Sequence, residues 1–153
     1  MNRLFLLDSG PLGLITQPKI SVEVLAINQW VLRCLRAGYR VLVPAIIYYE
    51  IRRELLRAQK ASGLARLDAF VDADPYRYLS LNDTALRLAA GLWAQTRQQG
   101  RPTSPALDLD IDVILAAQAL TLNNNARCSV ITTNPRHLRP FVDAKLWSEA
   151  EPE

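Results

Sequence analysis

The sequence predicts an α/β fold in three layers, with helices covering both faces of a mainly parallel sheet. Short strand-like segments alternate with longer segments whose apolar residues recur at helical spacing, which is typical of βαβ units. Half of the residues are apolar and 22% are charged, the balance of an ordinary globular protein. A chain of 153 residues is long enough for one such core and short for two, so we expect a single domain over residues 1–153.

The first predicted strand is the apolar run at residues 4–7, which ends at Asp8. Residues 9–13 are Ser-Gly-Pro-Leu-Gly, so we expect the chain to turn there. Asp8 then lies at the carboxyl end of a buried strand, where α/β sheets bind ligands. The alternative interpretation is that Asp8 only caps the turn.

A helix, a strand and a second helix follow. Ser21 is a suitable N-cap for a helix that ends at Gly38. Residues 40–43 are short and rich in valine, which favours a strand, and Pro44 suits the first turn of the next helix. We expect Gly63 to interrupt that helix.

The rest of the chain continues the alternation. Residues 64–71 predict a further helix, and residues 76–81 a short edge strand. Asn82 or Asp83 caps the helix that ends at Gly100. A polar loop at residues 101–105 then leads into an alanine-rich helix that continues to residues 123–125. Residues 129–132 form the third core strand.

Composition restricts the function without naming it. The net charge is +3, which favours polyanionic partners but is also common in unspecialised proteins. The apolar runs are shorter than the roughly 20 residues of a membrane span, and no leader precedes the first strand, so we expect a cytoplasmic protein. Cys34 and Cys128 lie in apolar contexts, which predicts two core thiols and neither a disulfide nor a zinc site.

Glu50 is the second acidic candidate after Asp8. It lies about two turns into the helix that begins at Pro44, beside the apolar stripe, so we expect it at the edge of the core. A structural alternative is a helical ion pair with Arg53, three residues later, although Glu54 would repel Glu50.

Three alternating acids, Asp108, Asp110 and Asp112, precede the alanine-rich helix. One cap and one acid in the first turn would account for two of them structurally, so three exceed that need. If the helix begins near Asp110, this residue caps it and Asp112 lies in its first turn.

Polar residues also follow the third core strand, in the segment Thr-Thr-Asn-Pro-Arg-His at residues 132–137. They fall on the same functional rim of a parallel sheet as Asp8. His137 is the only histidine of the chain, and it is either a ligand or a surface turn residue.

Four segments in this order resemble the PIN domain family, most closely the VapC-type toxins of toxin-antitoxin pairs. They are Leu-Leu-Asp-Ser-Gly at residues 6–10, Tyr-Glu-Ile-Arg-Arg-Glu-Leu at 49–55, Asp-Val-Ile-Leu-Ala-Ala-Gln-Ala at 112–119 and Thr-Thr-Asn-Pro-Arg-His-Leu at 132–138. Each segment is weak evidence alone, but their order is specific. Residues 145–147 also resemble the closing strand of that family.

The resemblance implies a three-layer α/β/α domain that binds Mg²⁺ or Mn²⁺ and hydrolyses RNA as an endoribonuclease. Asp8, Glu50 and Asp112 match the catalytic, metal-binding acids, and Asp110 is a fourth candidate ligand. Oxygen ligands suit these hard cations. The chain departs from the family where many members carry a further Asp, because it has Asn134 and His137 there.

Further roles follow from this chemistry. Ser9, Thr133 and Asn134 are candidate supporting residues that hydrogen-bond carboxylates or water. Basic residues on the Glu50 helix are candidate contacts to the RNA backbone, and they are Arg52, Arg53 and Arg57. The resemblance also implies a small antitoxin protein as a partner, and a homodimer.

Three alternatives are open. The first is a catalytically silent PIN-like module that binds RNA or a protein. The second is a phosphatase of the haloacid dehalogenase type with Asp8 as nucleophile, but those enzymes usually place a second Asp where this chain has Gly10. The third is a flap-endonuclease-like DNA enzyme, which requires a longer chain.

Overall fold

The computed structural model describes residues 3–100, 106–122 and 127–153. The predicted loop at residues 101–105 and the helix end at residues 123–125 lie outside this description. The strands are β1 (Arg3–Leu7), β2 (Arg40–Pro44), β3 (Tyr78–Leu79), β4 (Arg127–Ile131) and β5 (Ala144–Lys145). The helices are α1 (Ser9–Ile15), α2 (Val22–Arg36), α3 (Ala45–Arg57), α4 (Ala61–Asp72), α5 (Asp83–Gln99), α6 (Ala106–Thr121) and α7 (Pro135–Leu138). A short 3₁₀ helix spans Trp147–Glu149.

The five strands form one sheet in the order β3-β2-β1-β4-β5, and all four pairings between them are parallel. Leu6 of β1 is opposite Leu42 of β2 on one side and Val130 of β4 on the other. Four of the five residues in each of these strands are buried, as expected for a sheet covered on both faces. The predicted three-layer α/β/α fold is confirmed.

The main core lies around β1, where Phe5 stacks on both Trp30 and Tyr39. Trp30 is fully buried, and its indole N–H donates to the carbonyl of Ala150 (3.0 Å). A second, smaller core joins α5 to α6. It consists of small and branched residues that let the two helices pack closely, and they are Ala85, Ala89, Leu109, Val113 and Ala117.

The predicted turn after Asp8 is wrong, because the chain forms helix α1 there. Asp8 is the N-cap of this helix, and Pro11, Leu12 and Ile15 are buried. Burial of this apolar face outweighs the low helix propensity of Gly10 and Gly13. Any side chain at residue 10 would also collide with Thr133, since a Cβ built there lies 2.6 Å from both the Cγ2 and the Oγ1 of Thr133.

Gly63 does not interrupt a helix, contrary to prediction. The break lies at Gln59, whose φ of 54° is in the left-handed region, and the N–H of Lys60 closes the end of α3 on the carbonyl of Leu55 (2.9 Å). Gly63 lies inside α4 and is buried against Leu55, where a Cβ would approach within 2.8 Å. Close helix packing explains this glycine.

Three boundaries also differ from the sequence prediction. The edge strand is shorter than residues 76–81, because β2 ends at Pro44 and offers β3 only two partners. The closing strand is Ala144–Lys145, while Trp147 starts the 3₁₀ helix and packs near Trp30. Helix α6 begins at Ala106, before the predicted start near Asp110. Within the described residues, no helix has the length and apolar character needed to cross a membrane.

Candidate active site

The candidate site lies at the carboxyl ends of β1 and β4. From β1 the chain continues to β2 and β3 on one side of the sheet, and it later returns to β4 and β5 on the other side. Adjacent strands whose connections leave in opposite directions form a crevice at their carboxyl ends, which is where α/β folds bind ligands. Asp8 follows β1 and Thr132 follows β4, so both lie at this crevice.

Asp8 is held by hydrogen bonds to both of its carboxylate oxygens. The backbone N–H of Ser9 donates to Oδ1 (2.7 Å), and the Thr132 hydroxyl donates to Oδ2 (2.8 Å). The Thr132 hydroxyl also accepts from the N–H of Asn134 (3.0 Å), and Thr132 is almost fully buried. Asp8 therefore caps α1 and also presents a fixed, half-buried carboxylate.

Burial raises the pKa of the Asp8 carboxyl above its ordinary value. The hydrogen bonds from Thr132 and Ser9, and the charge of His137, act in the opposite direction. These interactions stabilise the charged form that metal binding requires.

Glu50 faces Asp8 from α3. Burial raises the pKa of Glu50, and the charges of Asp8 and Asp108 act in the same direction. The Ser9 hydroxyl and the charge of Arg53 lower it. Its Oε1 oxygen is buried with no hydrogen-bond partner among the described residues. A buried carboxylate oxygen without a partner is costly, and such groups call for a bound water or ion or for a functional role.

The acids of α6 do not all point to the same place. Asp108 and Asp112 are four residues apart and therefore share one side of the helix, and the charge of Asp108 acts on Glu50. Asp110 instead lies in a groove between α5 and α6 beside Leu86 and Trp93. Its position does not support the predicted role as fourth metal ligand, and Asp108 takes its place as a site candidate. Since α6 begins at Ala106, Asp110 is not the cap of that helix either.

The three candidate RNA-binding arginines differ in their partners. Arg52 forms a salt bridge with Asp68 (2.9 Å), and Arg57 forms one with Glu54 (2.9 Å). Arg53 lies over the ring of Tyr49, 5.2 Å from its centroid, and close enough to Glu50 for their charges to interact. Arg53 is therefore the arginine of the three that lies beside Glu50.

The candidate supporting residues also differ in their contacts and exposure. Thr132 donates to Asp8, a role that was assigned to Thr133, because Thr132 is buried at the strand end while Thr133 is exposed and packs against Gly10. The side-chain amide of Asn134 lies 3.3 Å from Nε2 of His137. Asn134 is exposed and His137 is half-buried, at the rim of the crevice.

Sequence reasoning missed Gln118, a buried side chain in an otherwise apolar segment of α6. Its Nε2 donates to the carbonyl of Leu79 (3.1 Å), and its Oε1 accepts from the N–H of Ile46 (3.4 Å). One amide thus joins α6 to the end of β3 and to the first turn of α3. Because Glu50 lies four residues after Ile46, Gln118 helps fix the position of the Glu50 helix. The signal was a lone amide within an alanine-rich segment.

The donor chemistry fits a hard divalent cation, although the side chains do not form a complete cage. In residues 3–100, 106–122 and 127–153, no group of three or more His, Cys, Asp or Glu side chains is placed to hold a metal ion. Mg²⁺ is usually bound through one or two carboxylates, with water and phosphate oxygens as further ligands. Asp8 and the partnerless Oε1 of Glu50 satisfy that smaller requirement.

No family model matches the sequence, and no curated protein is detectably similar to it. Solved structures, however, share the fold. The chain is similar to VapBC2 from Rickettsia felis, solved bound to a DNA fragment from their promoter (TM-score 0.69, 13% identity), over 94% of this chain and 98% of that one. It is similar to FitAcB from Neisseria gonorrhoeae (TM-score 0.65, 16% identity), over 94% and 98%. It is also similar to VapBC-1 from nontypeable Haemophilus influenzae (TM-score 0.62, 18% identity), over 95% and 98%. At these identities the likeness concerns the fold, and it confirms the PIN-like architecture that the sequence resemblance predicts.

Proposed function

We propose that this protein is a divalent-metal-dependent endoribonuclease, the toxin of a toxin-antitoxin pair. The observation that carries the proposal is the electrostatic contact of Asp8 with Glu50 at the crevice between β1 and β4, where one buried Glu50 oxygen has no hydrogen-bond partner among the described residues. The fold shared with chains from VapBC and FitAcB structures supports it.

Asp8, Glu50 and Asp112 are the residues that would hold Mg²⁺ or Mn²⁺, with Asp108 as a further acid on the same side of α6. A bound divalent cation polarises a phosphate, favours formation of hydroxide from water and stabilises the leaving oxygen. No serine, cysteine or histidine nucleophile is needed for that chemistry.

Other side chains prepare the site. Thr132 and the N–H of Ser9 hold the Asp8 carboxylate in one orientation. The carboxylate is therefore already ordered before a substrate binds. Arg53 supplies a positive charge beside Glu50. This charge would offset the repulsion between a substrate phosphate and the nearby carboxylates. Asn134 and His137 offer polar groups at the rim that would orient water.

The direct test is cleavage of mixed RNA substrates by the purified protein in Mg²⁺, in Mn²⁺ and in EDTA. We expect cleavage with either metal and none in EDTA. Wild-type cleavage that persists in EDTA would overturn the metal-dependent mechanism.

A catalytically silent module is the second candidate, because the described residues contain no group of three metal-binding side chains. It predicts RNA binding without cleavage in any metal. The structure disfavours the phosphatase alternative, because the second Asp of such enzymes would stand at residue 10, where a Cβ would collide with Thr133.

We also propose a small antitoxin partner and a toxin homodimer. Several structures that share this fold contain two named components, as in VapBC and FitAcB. A groove of about 830 Å³ between α1, α3 and α4 is a candidate surface for the antitoxin, with apolar residues such as Ile51 and Leu55 at its base. Co-expression with the small neighbouring reading frame should yield a stable complex with suppressed cleavage. Failure of any such product to copurify would indicate a solitary enzyme, and light scattering of the free protein tests the homodimer.

A further inference from the structure

Next to Glu50, the surface of α3 carries an exposed aromatic ring covered in part by an arginine. Tyr49 is 55% exposed, and the guanidinium carbon of Arg53 lies 5.2 Å from the centroid of its ring. Arg53 is four residues after Tyr49 and three after Glu50, so its side chain neighbours each of theirs on the helix surface. Arg53 therefore lies between Glu50 and the ring of Tyr49.

Three other arginine–aromatic pairs in the described residues are built differently. Arg52 lies over Tyr48, but a hydrogen-bonded salt bridge to Asp68 holds it. Arg77 lies over Phe70 and is itself buried. The pair of Arg97 and Trp93 is on α5, beside the groove that contains Asp110. Tyr49 and Arg53 thus combine an exposed ring with a position beside Glu50.

An exposed tyrosine next to a planar guanidinium is a suitable surface for a nucleobase. Every base has an aromatic face that can stack on a protein aromatic, and losing one such stack weakens binding by roughly tenfold or more. Arginine adds a stacking plane and can pair with a neighbouring phosphate. Bases within a duplex are already stacked on one another, so such a surface selects unpaired nucleotides.

We propose that Tyr49 and Arg53 form a stacking site for an unpaired nucleobase of single-stranded RNA, next to the Asp8–Glu50 site. The inference rests on the proposed function, since it takes RNA as the substrate, and it adds two residues outside the carboxylates that position the strand. The stacked base fixes the position of the strand relative to the acids.

The test measures RNA binding in EDTA, where the proposed cleavage does not occur. Fluorescence anisotropy of a labelled short single-stranded RNA gives the dissociation constant for wild type and for Tyr49→Ala, Tyr49→Trp and Arg53→Lys. We expect roughly tenfold weaker binding in Tyr49→Ala, from the loss of one stack, and near wild-type binding in Tyr49→Trp. Arg53→Lys keeps the charge but loses the plane, so it should weaken binding as well.

Tyr76→Ala is the matched control. Tyr76 is 71% exposed, but it precedes β3 and therefore lies at the amino edge of the parallel sheet, opposite Asp8. This variant should bind RNA like the wild type. Melting temperatures of all variants report whether each is folded.

Abasic substitutions in the RNA separate stacking from charge. One abasic position should weaken binding to wild type and have little further effect on Tyr49→Ala, because the two changes remove the same interaction. Equal binding by Tyr49→Ala and wild type, or equal losses in Tyr49→Ala and Tyr76→Ala, would overturn the stacking site. So would equal affinity of the wild type for single-stranded and duplex RNA.

Cleavage measured separately in Mg²⁺ distinguishes the two proposals. If cleavage requires metal but RNA binding does not depend on Tyr49, the stacking site is wrong and the proposed nuclease activity stands. Binding that depends on Tyr49, with no cleavage in either metal, would remove the nuclease and identify a single-strand-binding module.

Discussion

Helix α3 takes part in two carboxylate environments, on opposite sides of its axis. On one side, Asp68 of α4 accepts hydrogen bonds from the Tyr48 hydroxyl (2.8 Å) and from Arg52 (2.9 Å). On the other side, Glu50 faces the acids Asp8 and Asp108 and leaves one buried oxygen without a partner among the described residues. The pKa of Asp68 is lowered, chiefly by the Tyr48 hydrogen bond, while burial raises the pKa of Glu50.

The difference separates a structural site from a site suited to a ligand. The Asp68 carboxylate is satisfied by groups of the protein itself, so a cation has nothing to add there. Glu50 and Asp8 carry like charges and repel each other, which disfavours the charged form of Glu50. A bound cation would relieve that repulsion, which is the pattern expected where function costs stability.

The largest expected effect is on cleavage. Asp8→Asn and Asp112→Asn should each lower the rate of RNA cleavage roughly a hundredfold or more without loss of the fold, because each removes a proposed metal ligand. Asp68→Asn changes the same kind of side chain on the other side of α3 and should stay near the wild-type rate. Rates are measured with Mg²⁺, and circular dichroism checks the fold. Wild-type rates in both purified Asp8→Asn and Asp112→Asn would contradict the assignment of the site.

The second effect is on thermal stability in the presence of metal. Mg²⁺ or Mn²⁺ at a hundred times its dissociation constant should stabilise the wild type by about 2.7 kcal/mol, because it binds the native state only. Asp112→Asn should raise the melting temperature of the metal-free protein and abolish the metal response. Asp68→Asn should keep the full metal response. If the shift in Asp112→Asn equals that of the wild type, Asp112 is not part of the site.

The third effect is on the free energy of unfolding of the metal-free protein, which should change in opposite directions in variants of Glu50 and of Asp68. At neutral pH, Glu50→Gln should raise the free energy of unfolding by about 1 kcal/mol, because it removes a charge whose burial outweighs the stabilising contacts of Ser9 and Arg53. Asp68→Asn should lower it by less than about 1 kcal/mol, since the pair with Arg52 is partly exposed. Urea denaturation in EDTA measures both.

The differences in free energy of unfolding between the wild type and these two variants should both shrink towards acid pH. The folded-state pKa of Asp68 is lowered, so its contribution is complete above the unfolded value near 3.9 and is lost as the pH falls through the folded value. The folded-state pKa of Glu50 is raised, so its destabilising effect is complete above that value and disappears as the pH falls below the unfolded one. A Glu50→Gln variant less stable than wild type at neutral pH would reverse the comparison.

The smallest expected effects are at the rim, where Asn134 and His137 stand. If Asn134 orients a water, Asn134→Ala should lower cleavage severalfold, while Asn134→Asp retains it and tightens metal binding. His137→Ala should change Mg²⁺-supported cleavage little, because imidazole nitrogen is a poor match for that ion. A large loss in His137→Ala, with Asn134→Ala unaffected, would make His137 the proton donor or the RNA contact instead.

Much of the fold follows from local sequence. The core strands at residues 4–7, 40–43 and 129–132 were predicted to within a few residues because apolar and β-branched runs bounded by turn residues specify buried strands. Asn82 caps α5 through a hydrogen bond from the N–H of Ala85 (2.8 Å), as its residue type indicates. Periodicity could not show α1, since its glycines and proline suggest a turn and only burial of Leu12 and Ile15 favours the helix.

For the site, the residue types can be identified along the chain: acids at one strand end and on two helices, and polar residues after β4. Which of them meet depends on how the elements pack. Asp108 rather than Asp110 lies near Glu50, because the direction of each side chain depends on where α6 begins and on how it packs against α5. Thr132 rather than Thr133 holds Asp8, because β1 and β4 are neighbours in the sheet although 124 residues separate the two partners. Spacing along a chain fixes neighbours within one helix or strand, whereas contacts between elements depend on the packing of the whole core.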